Sequence, residues 1–441
     1  RKSRRTKPSR PALPKMAQLL LLAVVSALSL LSPRTAAVAT STTSSGKPLV
    51  TAITRDAATK LYTAPLKDEL PLVLDLSGPL LWATCAAPHP SYECHHAACA
   101  HAHAHHPPGC PRTGHGVADE FDPFRCRCRA HPYNPFARRA GSGDLTRARV
   151  TANTTDGANP LAAASFTAVA ACAPPTLLAG LPAGAVGVAG LARSRLALPA
   201  QVARKQKVAR RFALCLPGEG GGMGVAIFGG GPLFLLPPGR PDVTASLAGT
   251  TPLRRNPGVP GYFVSATGIA VNHVQVQVQQ QGPLTVALCS RVPYTVLRPD
   301  VYAPFVRAFE VMAMAGRKPP TPPFELCYDS RELGSTRLGY AVPQVDLMLE
   351  SGANWTVFGG NSMVQVSDDT ACFAFLEMKE EKQQGGHGYG GGAPAPAVVI
   401  GGFQMENNLL VFDEENGQLG FSGLLFGRQT TCSNFNFTLA G

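Results

Sequence analysis

The sequence predicts a mostly β protein of two duplicated lobes with few short helices, and three observations predict it. Of 441 residues, 45 are Gly and 40 are Pro, about 19% together against roughly 12% in an average domain. So much Gly and Pro excludes a long helical bundle or coiled coil. Apolar residues make up 45% of the chain and fall in short runs between polar, Pro or Gly punctuation, which is strand patterning rather than disorder. Finally, a landmark pair recurs. A strand ending in Asp75-Leu76-Ser77-Gly78 is followed by the Gly-closed apolar segment 186–191, and a strand ending before Cys289-Ser290-Arg291 is followed at similar spacing by segment 398–402.

Taken in order, residues 49–53, 60–64, 72–76 and 80–84 read as strands. Between 85 and 149 aliphatics are scarce and Cys, His, Pro and Arg abound, predicting a disulfide-pinned surface excursion. Residues 198–212 predict a helix, with Pro199 early and good helix formers behind it, and residues 298–314 predict another. The run 269–278, with Val274, Val276 and Val278 alternating with Gln, is the cleanest period-two strand pattern. The Pro/Gly-rich zone 237–260 predicts the lobe boundary, giving a first lobe at 40–245 and a second at 246–441.

Residues 1–39 are expected to be a leader. Met16 is the expected start, followed by an apolar run at 17–31, Pro33 and the small-residue pattern Ala37-Val38-Ala39, the order of a secretory signal peptide. Arg1 to Lys15 form either a long basic front end or sequence upstream of the true start. The formal charge of +12 depends on this segment, because eight of its residues are basic and none is acidic. Without it 32 basic residues face 28 acidic ones, which removes the reason to expect nucleic acid as a partner. A secreted product is expected, located outside the cell in the apoplast or wall, with no membrane span, and monomeric. Asn153, Asn354 and Asn436 each open an Asn-x-Thr glycosylation sequon, and the twelve cysteines suit an oxidising compartment.

Phe228-Gly229-Gly230, the stretch 400–406, Leu410-Val411-Phe412-Asp413 and Leu419-Gly420-Phe421-Ser422 resemble the pepsin-like aspartic protease fold. The stretches 72–85, 131–135, 150–157, 187–214, 293–302 and 361–372 resemble, more closely, its non-proteolytic plant branch. That branch holds the TAXI-type xylanase inhibitors of cereals, the basic 7S globulins and the extracellular dermal glycoproteins. The resemblance spans nearly all of residues 47–432. It implies a bilobal pepsin-like fold, and it implies disulfides between Cys327 and Cys372 and between Cys215 and Cys432. The cysteine set at 85–128 departs from the group, since a cysteine expected after Tyr133-Asn134-Pro135 is missing.

Peptide hydrolysis in this fold needs two carboxylates sharing one proton, each in an Asp-Thr/Ser-Gly turn. Here Asp75 is kept, Ser77 stands where the turn glycine belongs, and Cys289 occupies the partner aspartate's position, followed by Ser290 and Arg291. A lone carboxylate cannot divide the acid and base roles, so no protease and no cofactor is expected. Cys289 as a thiol nucleophile would need a nearby His, and His273 is the closest in sequence.

Nine of the 11 histidines fall between 89 and 131. His101, His103, His105 and His106 make a weak metal-binding possibility beside the simpler reading of a solvated loop. Eight arginines between 112 and 149 form a cationic face that either attracts acidic wall polymers or is merely solvated.

The function implied is secreted plant defence: occlusion of the active-site cleft of microbial family 11 endo-xylanases, with no proteolysis. The resemblance implies a His in the loop before the last cysteine. This chain has none there and offers Leu425, Phe426, Arg428 and Gln429 as candidates. The alternatives are an inhibitor of another wall-degrading glucanase, or a non-inhibitory globulin-like or dermal-glycoprotein-like wall or storage protein.

Overall fold

A computed structural model describes residues 46–104, 116–118, 126–237, 239–256, 259–279, 282–379 and 395–440. The expected leader with Met16, and also His105, His106 and Cys110, lie outside these residues. Among the described residues no helix is long and apolar enough to cross a membrane.

The sequence landmarks become paired strands. Leu70–Asp75 lies parallel to Gly187–Gly190, with Gly190 opposite Asp75, and Leu284–Leu288 lies parallel to Val398–Ile400, with Leu288 opposite Ile400. The closing glycines are required by close approach. A Cβ on Gly190 would sit 2.3 Å from the Gly78 carbonyl, and one on Gly401 would sit 2.4 Å from the Tyr294 carbonyl carbon. Each lobe therefore carries the same parallel strand pair at the foot of one loop.

A 14-stranded sheet takes strands from both sides of residue 245. Arg211–Cys215 pairs with Gly224–Phe228 on one edge and with Leu409–Asp413 on the other, and Gln418–Phe421 and Gly249–Pro252 extend the sheet. Phe212 faces Phe412 across this seam, with ring centroids 4.6 Å apart and nearly parallel. A nine-stranded sheet forms the rest of the second lobe's frame. Helix Pro299–Met312 covers it, burying Val301, Tyr302, Phe305 and Phe309, with Phe309 stacked at 3.9 Å on Phe373.

Three local expectations are corrected. The helix expected over 198–212 ends at Gln206, because Lys207 turns left-handed at φ 53° and Phe212 is taken into the seam strand. The period-two run at 269–278 is a hairpin. Strand Val259–Val271 ends at Asn272 and His273, both at positive φ, and the chain returns as Val274–Gln275. The excursion at 85–149 has a core of its own, with Cys99, Cys128, Ala130 and Leu145 fully buried beside Trp82.

Candidate functional site

The two duplicated strand ends bring Asp75 and Ser290-Arg291 together. Asp75 is 4% exposed and its Oδ1 accepts from the Ser77 N–H at 2.9 Å. The close packing expected of a turn glycine falls one residue later, at Gly78, where a Cβ would lie 2.9 Å from Gly190 Cα. From the other loop, the Ser290 hydroxyl donates to the Leu74 carbonyl at 2.8 Å and accepts from the Leu76 N–H at 3.1 Å. One loop thus clamps the other by its hydroxyl. Leu76, at the matching position, is apolar and buried and returns no such bond through its side chain.

Arg291 brings its guanidinium Nε to 3.4 Å from Asp75 Oδ1, with only 16% of its side chain exposed. Asp75 therefore faces the Arg291 cation in a poorly solvated space. Cys289 is a buried free thiol, its N–H bonded to the Ile400 carbonyl at 3.0 Å, packed with Phe263, Ala287 and Val399.

The loop before the last cysteine is the short 3-10 turn Leu425–Arg428. Leu425 is corrected from a recognition residue to a core residue: it is fully buried with Cys215, Leu409 and Cys432. Phe426 is half-buried, whereas Arg428 and Gln429 are exposed, Gln429 at φ 56°. The Arg428 guanidinium donates to the Ser246 hydroxyl and carbonyl, and Arg240 donates to the Arg428 carbonyl. Arg428 is thereby tied down along the surface.

Cysteines pair as Cys85–Cys172, Cys94–Cys126, Cys99–Cys128, Cys215–Cys432 and Cys327–Cys372. His95 lies near the second pair and His103 near the third, but sulfurs joined in disulfides are not thiolate ligands. His103 Nε2 is 2.6 Å from the Arg129 carbonyl, and His101 is half-buried.

Sequence reading missed a duplicated Tyr–Glu–Arg contact beneath the two loops. Thr63 pairs with Val73, which sets Tyr62 beside Leu74, the residue before Asp75; Tyr262 pairs with Leu288, the residue before Cys289. Tyr62 donates to Glu406 at 2.7 Å, and Arg55 Nε lies 2.7 Å from the same carboxylate oxygen. In the other lobe the Tyr262 hydroxyl lies 2.5 Å from Glu414, whose second oxygen is 2.5 Å from Arg210 Nε. Burial drives the Glu406 pKa up to about 7, against the opposing pull of Arg55 and Tyr62. The one sequence signal for this was a Tyr on the strand beside each loop-bearing strand.

The fold and the paired loops define a pepsin-like bilobal protein. Residues 60–230 match the family model described as xylanase inhibitor N-terminal, and residues 261–423 match the one described as xylanase inhibitor C-terminal. The chain belongs to this xylanase inhibitor family. It is 68% identical over 401 residues to a protein of Oryza sativa subsp. japonica named Chitinase CLP, covering 90% of this chain and 92% of that one. It is 33% identical to a Nicotiana benthamiana protein named Probable aspartic proteinase GIP2, covering 92% and 95%. The crystal structure of edgp superposes with a TM-score of 0.76 at 30% identity, covering 89% of this chain and 98% of that one.

Proposed function

We propose that this chain is a secreted plant wall protein that binds a microbial wall-degrading glycoside hydrolase other than a family 11 xylanase, blocks its cleft, and cuts no peptide. The observation that carries the reading is the Arg291 guanidinium set 3.4 Å from Asp75. A scaffold whose remaining acid is matched to a cation is left with surface recognition as its use. The leader pattern and the five disulfides among the described residues support secretion.

The choice of target rests on the loop before Cys432. A family 11 inhibitor would aim a free cation between two catalytic carboxylates. Here Leu425 is core, and the one cation of the loop, Arg428, is spent on Ser246. The name of the rice relative makes a chitinase the first hydrolase to try.

Residues 40–441, purified from a secreting host, should be titrated against a family 11 xylanase, a xyloglucan-specific glucanase and a microbial chitinase. Inhibition of either of the last two at micromolar protein, with the xylanase untouched, is expected. Inhibition of none of the three refutes the reading. Proteolysis of haemoglobin at acid pH that disappears in Asp75→Ala would refute its non-proteolytic half.

The rice relative's name also raises chitin hydrolysis by the chain itself, for which a proton-donating carboxyl near neutrality is required. Glu406 has such a pKa, but it is 3% exposed and enclosed by Tyr62 and Arg55, where a polysaccharide does not reach. Release of sugar from chitin oligosaccharides by the pure protein would establish that second reading.

A further inference from the structure

Strand Val259–Val271 turns back at Asn272 and His273, which stand at φ 47° and 67°. A two-residue turn with both φ positive is ordinarily built from Asn followed by Gly, because a side chain at the second position crowds its own backbone. Asn272 follows that rule and His273 does not. The turn is anchored, since the Asn272 N–H donates to the Gln344 carbonyl at 2.8 Å. His273 thus occupies a place where glycine folds more easily, and its ring is what the chain gains there.

That ring is oriented from the protein side. Asp346, on the neighbouring strand Val345–Leu349, is 2% exposed. Its Oδ1 accepts from the Thr356 hydroxyl at 2.5 Å, and its Oδ2 accepts from Gln344 Nε2 at 3.0 Å. His273 Nδ1 lies 3.6 Å from the same Oδ2 and 3.5 Å from Gln344 Nε2. Asp346 is the one charged group at ion-pair distance from the ring among the described residues. The His273 side chain is still 74% exposed, and Val274 beside it is 57% exposed.

At 3.6 Å Asp346 is too far to accept a hydrogen bond from Nδ1. A neutral ring that accepts from Gln344 at Nδ1 carries its hydrogen on Nε2, and an imidazolium carries one on each nitrogen. In both forms Nε2 presents an N–H, for which no protein acceptor stands among the described residues. Its complement is an acceptor on another molecule, and a carboxylate is the strongest one a protein offers.

We propose that turn 272–274 docks on the glycoside hydrolase, with His273 Nε2 donating to a carboxylate of that enzyme and Val274 packing beside it, an inference that rests on the hydrolase-binding reading above. The partner surface is an acidic cleft, as the paired carboxylates of a glycoside hydrolase provide. Asp346 is a positioning residue: buried, it holds the ring and does not reach the hydrolase.

The test titrates the full secreted chain against the xyloglucan-specific glucanase and the microbial chitinase, as wild type, His273→Gly, Asp346→Asn and the double variant. His273→Gly removes the ring and suits the backbone. Its urea midpoint is expected to be no lower than that of wild type, while its inhibition constant rises at least about tenfold. Asp346→Asn is expected to weaken inhibition when His273 is present and to change nothing when it is absent, a coupling that a merely structural acid does not show. Inhibition by wild type and by His273→Gly with equal constants overturns this inference and leaves the hydrolase reading standing. Equal effects of Asp346→Asn in both backgrounds overturn the positioning role. Failure of the wild-type protein to inhibit either enzyme overturns the hydrolase reading and this inference with it.

Discussion

Glu406 makes the stability of this protein fall as pH rises toward neutrality. Its carboxyl is 3% exposed, with Tyr62 Oη and Arg55 Nε each 2.7 Å from one oxygen. Burial outweighs both partners and lifts the pKa from 4.5 to about 7. A raised folded-state pKa means that the folded form holds the proton more tightly than the unfolded chain. The resulting stability is fully present below the unfolded value and is lost as pH climbs through the folded one. A shift of this size, at about 1.4 kcal/mol per pH unit, is worth roughly 3 kcal/mol.

The perturbation is Glu406→Gln, whose neutral amide matches the protonated acid in shape. Urea unfolding with the disulfides intact should be followed at about pH 4 and about pH 8, spanning both pKa values. Near the lower pH the two proteins should agree within about 1 kcal/mol. Near the higher pH the variant should have gained roughly 3 kcal/mol relative to wild type. Comparing the two proteins cancels the groups that titrate away from this site, while Arg55, Tyr62 and Glu219 face it in both. Parallel loss of stability in both would refute the buried-acid argument.

Four further outcomes follow from contacts elsewhere in the structure. Ser290→Ala removes the hydroxyl that bridges the Leu74 carbonyl and the Leu76 N–H and should cost about 1–3 kcal/mol in the unfolding midpoint, since both partners are buried. Leu425→Ala should cost about 2–5 kcal/mol as a core cavity, whereas Arg428→Ala should change hydrolase inhibition by less than about 1 kcal/mol, read by inhibitor titration. Cys432→Ser opens the bridge to Cys215 across a separation of 217 residues and should cost about 5 kcal/mol by loop-closure entropy, measured as the drop in urea midpoint.

The frame was legible because it is written in local pattern: two apolar strands, each ending in a short polar turn, and a closing glycine in each half. Gly190 and Gly401 could be found because close backbone approach permits no other residue. Asn272 and His273 were misread because a two-residue turn does not interrupt alternation of apolar side chains, although Asn is a residue that tolerates positive φ. Phe212 was misread as helical because its fate is decided by Phe412, 200 residues away in sequence and 4.6 Å away in space. Leu425 and Arg428 illustrate the same limit at the site. Their residue types fit a recognition loop, and only the structure shows that Leu425 packs on Cys432 while the Arg428 side chain bonds to Ser246.

The duplicated Tyr–Glu–Arg contact shows which parts of the two-fold design the chain has kept. Glu406 and Glu414 lie at the two ends of the seam strand Leu409–Asp413, and each takes a Tyr from the strand beside its lobe's loop. Both carboxylates sit where two lobes must be held in register, a task of packing and charge that needs no substrate. The loops above have diverged instead: Ser290 keeps its bond across to the first loop, Leu76 has no hydroxyl to return it, and Arg291 fills the space beside Asp75. Symmetry has therefore persisted in the Tyr–Glu–Arg contacts and is absent from the side chains of the two loops above them. Such a division fits the surface recognition proposed above, because recognition depends on how the lobes are set and not on a shared proton.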